Sequence, residues 1–177
     1  MHPKVYADVV RQCMALGACS FSFQGGEPLV YADLYDYIKA AQPHKNVISV
    51  STNGILLTYK NCMKLKKAGV DIVTVSVDKF HSNFRKTDDF KWYRNAKKAG
   101  LKVTISTVLE RGEVDHVKYY DLLRFIQREK IIWNAIFLAP VGHFDGQVDR
   151  MLTDLEVSFL RGGESRNPYI RTDFMAN

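Results

Sequence analysis

The chain has 177 residues, 46% hydrophobic and 25% charged, which is enough for one compact domain with a real core and too little for two full-sized ones. That apolar fraction excludes wholesale disorder, and no run approaches the roughly 18 apolar residues of a membrane helix, so no membrane partner is expected. The net charge of +6 permits anionic partners without naming one; its densest clusters, Lys64, Lys66, Lys67 and Lys97, Lys98, read as solvated outer helix faces, and nucleic acid is not the expected partner.

The opening Met1-His2-Pro3-Lys4 leads into mixed sequence without an apolar h-region, so no signal peptide is expected. A helical pattern follows over Pro3 to Leu16, with Val5, Val9 and Cys13 on one face. A strand-like run spans Ala18 to Phe23. Then come a helix over Ala32 to Ala41, a strand over Asn46 to Val50, a helix over Thr58 to Ala68 and a strand over Asp71 to Val77. The series continues with a helix from Phe90 to Ala99, a strand from Lys102 to Leu109, a helix from Val114 to Glu129 and a strand from Trp133 to Leu138. A further helix and a polar tail are expected over 151–177, and Arg161 to Asn177 carries no evident closing element.

Strand starts recur roughly every 25 to 31 residues, a spacing that holds one helix and therefore joins parallel strands through right-handed crossovers. The segment Lys66-Lys67-Ala68-Gly69 recurs as Lys97-Lys98-Ala99-Gly100, and in both a basic last turn suits the helix dipole before a left-handed glycine stop. The class is α/β. Five strands do not close an eight-stranded barrel of about 250 residues, so an open doubly wound sheet and an incomplete barrel both remain. The chain also begins on a helix with no strand to feed it.

In either architecture ligands bind beyond the carboxyl ends of the strands. Small and polar residues collect there: Gln24-Gly25-Gly26-Glu27-Pro28, Ser51-Thr52-Asn53-Gly54, Ser76-Val77-Asp78, the run ending Glu110-Arg111, and Ala139-Pro140-Val141-Gly142-His143. Gly25 and Gly26 can expose backbone groups to a ligand, Glu27 can receive an ammonium group, and Pro28 stiffens the exit. Read alone, each motif is also an ordinary turn or strand-end cap.

Gly25-Gly26-Glu27-Pro28 directly after a strand resembles the S-adenosylmethionine (SAM) ammonium motif of the radical SAM superfamily. Ser51-Thr52-Asn53-Gly54 is similar to that family's third-strand ending, Val75-Ser76-Val77-Asp78 to its fourth, and Pro140-Val141-Gly142 to the sixth-strand ending of its peptide- and protein-modifying branch. The resemblance covers roughly residues 3 to 143. It implies an incomplete (β/α)6 partial barrel, with the core over 1–150 and the first strand and cluster loop missing. It also implies SAM bound by Gly25, Gly26, Glu27, Pro28, Ser51, Thr52, Asn53, Ser76 and Asp78. Phe80, Leu109 and Val141 are candidates to flank the adenine.

Such an enzyme uses a [4Fe–4S] cluster on a CxxxCxxC loop to cleave SAM reductively to a 5′-deoxyadenosyl radical. This sequence has no such loop. Cys13, Cys19 and Cys62 are too few and wrongly spaced, and an odd, sparse set argues against disulfides and for a reducing cytoplasm. All three are expected to be buried, small apolar residues, so no metal ligand is named. The resemblance thus implies a fragment of a radical SAM enzyme that acts on a peptide or protein and is reduced by flavodoxin or ferredoxin. The cluster then belongs to the full-length protein only, and this chain alone is inactive. The alternatives are a non-catalytic remnant that binds SAM, a nucleotide or a partner, and a phosphate-binding β/α barrel; the latter is weakened by the lack of a GxGxxG or GxxxxGK[ST] loop. His81 and His143 are candidates for proton transfer or substrate binding, and Arg85 and Arg111 for an acidic substrate group, against a surface role for each. An uncovered edge on the first strand predicts self-association.

Overall fold

A computed structural model describes residues 3–42, 47–80, 90–114, 117–139 and 145–174. Its order is α1 (Pro3–Ala15), β1 (Ser20–Phe23), α2 (Leu34–Ala41), β2 (Val47–Thr52), α3 (Tyr59–Ala68), β3 (Ile72–Ser76), α4 (Lys91–Lys98), β4 (Lys102–Leu109), α5 (Val117–Glu129), β5 (Ile132–Phe137), α6 (Asp154–Arg166) and β6 (Ile170–Phe174). The strands lie in one sheet in chain order, β1 to β6. This is the alternating, parallel α/β arrangement of a partial barrel. No helix among the described residues is long and apolar enough to cross a membrane.

The chain divides into two compact units, one of Met1–Ser76 with Asp88–Val103 and one of Val77–Thr87 with Thr104–Asn177. In the first, β1, β2 and β3 pair in parallel, with Ser20 opposite Val47 and Val50 opposite Val73. Burial follows the period of two: Ile48, Val50 and Thr52 on one face of β2 are buried, while Ser49 and Ser51 on the other are half-buried. The fully buried set includes Ile38 of α2, Cys62 and Leu65 of α3, and Ala96 of α4. These helical positions are the apolar stripe that the 3.6-residue period requires.

The outer helices of this unit start and stop where their chemistry dictates. Thr58 caps α3 by accepting the Asn61 N–H at 3.2 Å, and Gly69 ends it at φ 109° with its N–H on the Leu65 and Lys66 carbonyls. The second copy of the motif ends the same way, with Gly100 at φ 76°. Neighbouring helices are also joined by amines over phenol rings. The Lys64 amine of α3 lies 5.7 Å from the Tyr35 ring centre of α2, and the Lys98 amine of α4 lies 4.9 Å from that of Tyr59 of α3.

In the second unit β4, β5 and β6 pair in parallel, with Thr104 opposite Ile132 and Trp133 opposite Ile170. Ile105, Leu109, Leu122, Ile126 and Trp133 form its buried centre. The strand β6 corrects the expectation of a tail without a closing element. Alternation in Ile170-Arg171-Thr172 is hidden by its polar members, yet Ile170 is buried against α6, where its Cδ1 would lie 3.8 Å from a Cβ on Gly163. The helix α6 begins at a capping box in which Thr153 and Glu156 satisfy each other's backbone N–H groups.

The cysteines also differ from expectation. Only Cys62 is buried; Cys13 is half-buried and Cys19 is exposed. Cys19 lies in the short approach to β1, outside any helix or strand, and so is not drawn into a core.

Candidate functional site

The first unit holds a polar rim built from two strand ends. After β1 the chain turns through Gly25 at φ 97° and Gly26 at φ 39°. Nothing lies within 4 Å of where a Cβ on either glycine would stand. Glycine is required there by the left-handed backbone rather than by crowding, and the turn's surroundings are open. Glu27 then caps a short 3-10 turn, Pro28–Val30, by accepting the Leu29 N–H at 3.1 Å, with buried Pro28 fixing its first position.

The Glu27 carboxylate also reaches across to β2. One oxygen accepts the Thr52 hydroxyl at 2.7 Å, and the other accepts the Asn53 backbone N–H at 2.8 Å. Thr52 is buried, and its hydroxyl in turn accepts the Gly54 N–H at 3.1 Å. The Asn53 side chain closes an Asx turn on the Ile55 N–H at 2.9 Å. Glu27, Thr52 and Asn53, named from motifs far apart in sequence, are therefore joined by hydrogen bonds. Ser51 and Ser76 stand half-buried at the carboxyl ends of β2 and β3.

Beside the glycine turn is a cavity of about 270 Å³ lined by Phe23, Gln24, Gly25, Pro28, Tyr31, Asp33, Leu34 and Tyr37. Tyr6 of α1 backs it, its ring edge-on to Tyr37 at 5.0 Å between centres. An open glycine turn, half-buried hydroxyls and an aromatic-walled cavity suit an amphipathic small molecule that carries hydrogen-bonding groups.

Asp78 belongs to the second unit. It is buried, and its carboxylate accepts the Phe80 N–H at 3.0 Å and the Val108 N–H at 3.3 Å. Phe80 is exposed and Leu109 is buried. Arg111 is tied to a distant part of the chain, its Nε donating to the Met151 carbonyl at 3.0 Å. His81, Arg85, Pro140, Val141, Gly142 and His143 lie outside the described residues.

Sequence reasoning missed a charge cluster in this unit. Glu110, buried, receives Lys79 at 2.7 Å and the Arg150 guanidinium through both oxygens, while Glu113 lies 3.5 Å from Lys79. Burial pushes the Glu110 carboxyl up, but the hydrogen bonds and charges of Arg150 and Lys79 outweigh this and hold its pKa below the ordinary carboxylate range. The signal available was Lys79 directly after Asp78, a cation at a strand end that needed a carboxylate.

The cysteines do not suit an iron–sulfur cluster. Burial drives the Cys62 thiol up to about 11, against thiolate formation, and Cys13 and Cys19 lie on other segments. Among the described residues no three His, Cys, Asp or Glu side chains are grouped to hold a metal ion.

Comparison with known proteins gives the same family that the motifs resemble. The family model of the radical SAM superfamily matches residues 1–123. A probable GTP 3′,8-cyclase of Methanosarcina mazei is 31% identical over 154 residues, 80% of this chain and 45% of its own. An AdoMet-dependent heme synthase of Oleidesulfovibrio alaskensis is 28% identical over 68% of this chain and 33% of its own. A PqqA peptide cyclase of Streptomyces rochei is 30% identical over 62% of this chain and 32% of its own. The chain thus spans from 32% to 45% of the length of these relatives.

Among solved structures, Streptococcus suis SuiB bound to the precursor peptide SuiA superposes with a TM-score of 0.75 at 18% identity, over 98% of this chain and 42% of that one. Native anSMEcpe with bound AdoMet and a Cp18Cys peptide gives 0.70 at 21% identity, over 94% of this chain and 52% of that one. The fold is that of these partial barrels, and the chain belongs to the radical SAM superfamily.

Proposed function

We propose that this chain binds SAM at the rim of its first unit, as the SAM-holding part of a radical SAM enzyme that modifies a peptide or protein. The observation that carries the reading is the open Gly25-Gly26 turn tied through Glu27 to Thr52 and Asn53. The open backbone at Gly25 and Gly26 would hold the ligand's ammonium, with Pro28 fixing the turn. Ser51, Thr52, Asn53 and Ser76 line the strand ends where its carboxylate and hydroxyl groups would bond. Asp78 supports the reading as a brace for its own loop, since its carboxylate already accepts two backbone N–H groups.

SAM supplies a 5′-deoxyadenosyl group to such chemistry when a reducing cluster is present. The cysteines of this chain do not fit that cluster, so no residue here is assigned a part in bond cleavage. Fold likeness to two peptide-bound enzymes favours a peptide or protein substrate, and a flavodoxin or ferredoxin is the matching reductant. The placement of the cysteines favours a second reading, a module that binds SAM, a nucleotide or a partner without catalysis. Anaerobic iron–sulfide reconstitution tests the reading of the cysteines: no stable cluster is expected on this chain, and a SAM-responsive cluster signal in electron paramagnetic resonance would overturn that and implicate Cys13, Cys19 or Cys62.

Isothermal titration of the chain with SAM tests the site itself. Saturable binding that weakens in Gly25→Val, where the added side chain is strained at positive φ, is the expected result. Absence of binding at millimolar SAM overturns it. The outer edge of β1 carries no partner strand among the described residues, and we expect it to mediate self-association, readable by light scattering.

A further inference from the structure

We propose that the outer face of α3 and α4 docks an acidic segment of a peptide or protein, one that carries apolar side chains among its carboxylates. The proposal rests on the reading of a peptide- or protein-modifying enzyme and adds a recruiting surface outside the SAM rim. Charge is divided unevenly along the fold. The first unit carries 13 Lys and Arg against 7 Asp and Glu, and the second carries 12 against 12, so the whole net charge of +6 falls in the first.

Two helices concentrate it. Lys60, Lys64, Lys66 and Lys67 of α3 are exposed, and neither α3 nor α4 holds a carboxylate. Lys91, Arg94, Lys97 and Lys98 of α4 are exposed as well, and the two helices pack side by side. Helix stability does not call for this arrangement. The last-turn lysines suit the helix dipoles, but Lys60 and Lys91 sit in first turns, where the dipole repels a cation. Lys60 with Lys64, and Lys91 with Arg94, are like charges at helical spacing, which destabilises each helix further. Cations held on one face against the local electrostatics point to a partner that supplies the missing negative charge.

Two observations favour an acidic peptide over a nucleic acid strand. The rings of Tyr35, Tyr59 and Tyr93 already carry the amines of Lys64, Lys98 and Lys97, at 4.9 to 5.7 Å from their centres, rather than standing open for bases to stack on. Among the cations, Tyr59 and Met63 are 41% and 43% exposed and stand one helical turn apart. They offer an apolar strip that a phosphate backbone has no group to fill, and a methionine adapts its shape to varied side chains.

The test is fluorescence anisotropy in low salt with a fluorescein-labelled peptide of glutamates interrupted by leucines. It is compared with the same peptide carrying glutamine for glutamate, and with an oligothymidine strand of similar charge. Saturable binding of the glutamate peptide, weaker with either comparator and weakened by added salt, is the expected result. The triple variant Lys60→Gln/Lys66→Gln/Lys67→Gln should lose about tenfold in affinity, a modest contribution from each exposed cation. Lys91→Gln/Arg94→Gln should also bind more weakly, which repeats the test on the neighbouring helix. Met63→Ser should weaken the peptide while leaving its salt dependence unchanged. Arg124→Gln/Arg128→Gln/Lys130→Gln removes the same charge from the second unit and should bind like the wild type.

No saturable binding of the glutamate peptide overturns the proposal. So does an equal loss in the second-unit variant, tighter binding of oligothymidine, or an unaltered affinity in Met63→Ser. Circular dichroism checks that each variant keeps its helices. No SAM is present in these titrations, so the two readings fail separately: peptide binding without SAM binding leaves this surface standing, and SAM binding without peptide binding removes it alone.

Discussion

The indole N–H of Trp133 donates to the Thr107 hydroxyl at 2.8 Å, and the same hydroxyl donates to the Val77 carbonyl at 2.8 Å. All three groups are buried in the second unit, so one hydroxyl resolves the polarity of an indole and a strand-end carbonyl together. Thr107→Val keeps the shape and removes both bonds. A loss of about 1–3 kcal/mol in urea unfolding is expected from the stranded donor alone. Thr107→Ser, which retains the hydroxyl, should lose less; equal losses would assign the effect to packing.

Glu110 gives a prediction in pH. Its folded-state pKa is lowered, so the stability it contributes is present above the ordinary carboxyl range and is lost as pH falls through the lowered value. Glu110→Gln should therefore unfold more readily than the wild type at neutral pH, the gap narrowing once the pH drops below that of an ordinary glutamate. A gap that stays constant with pH would rule out a charge-based contribution. Lys79→Met should show the same trend, because it removes one of the two cations that face this carboxylate.

Gly69 is fixed by two separate constraints. Its φ of 109° strains any side chain, and a Cβ there would stand 2.4 Å from Gln42 Cγ. The left-handed conformation alone costs about 1–2 kcal/mol. Gly69→Ala should be destabilised by at least that much in chemical denaturation, and the double variant with Gln42→Ala should recover only the contact part. Full recovery would show that backbone strain contributes nothing.

Much of the fold was legible because its signals are local. The apolar stripes of α2 and α3, the Lys-Lys-Ala-Gly helix ends and the Val- and Ile-rich strands each announce themselves within a dozen residues. The strand β6 did not, because polar Arg171 and Thr172 break up its apolar pattern and Gly162-Gly163 weakens the signal of α6. The same limit governs the site. The glycine turn and the Asn53-Gly54 ending are readable as motifs. That Glu27 serves Thr52, or that Glu110 serves Arg150, depends on tertiary approach between segments that composition and periodicity do not connect.

Thiol chemistry separates the cysteines. Cys19 is exposed, whereas Cys62 is buried with its thiol pushed up to about 11. At pH 8 a maleimide reagent should label Cys19 within minutes and reach Cys62 only after unfolding, since so high a pKa leaves roughly a thousandth of it as thiolate. Mass mapping of native and denatured samples checks this; rapid native labelling of Cys62 would mean that α3 opens readily.

The amine-over-phenol contacts between α2, α3 and α4 tie the cohesion of that helical layer to the chemical state of two lysines. Acetylation preserves the methylene stem of Lys64 or Lys98 but erases the positive charge that the ring faces attract. A population acetylated at both would keep its strands and loosen its outer shell. The tyrosines Tyr35 and Tyr59 would then become more accessible to nitration, making aromatic chemistry a gauge of lysine modification.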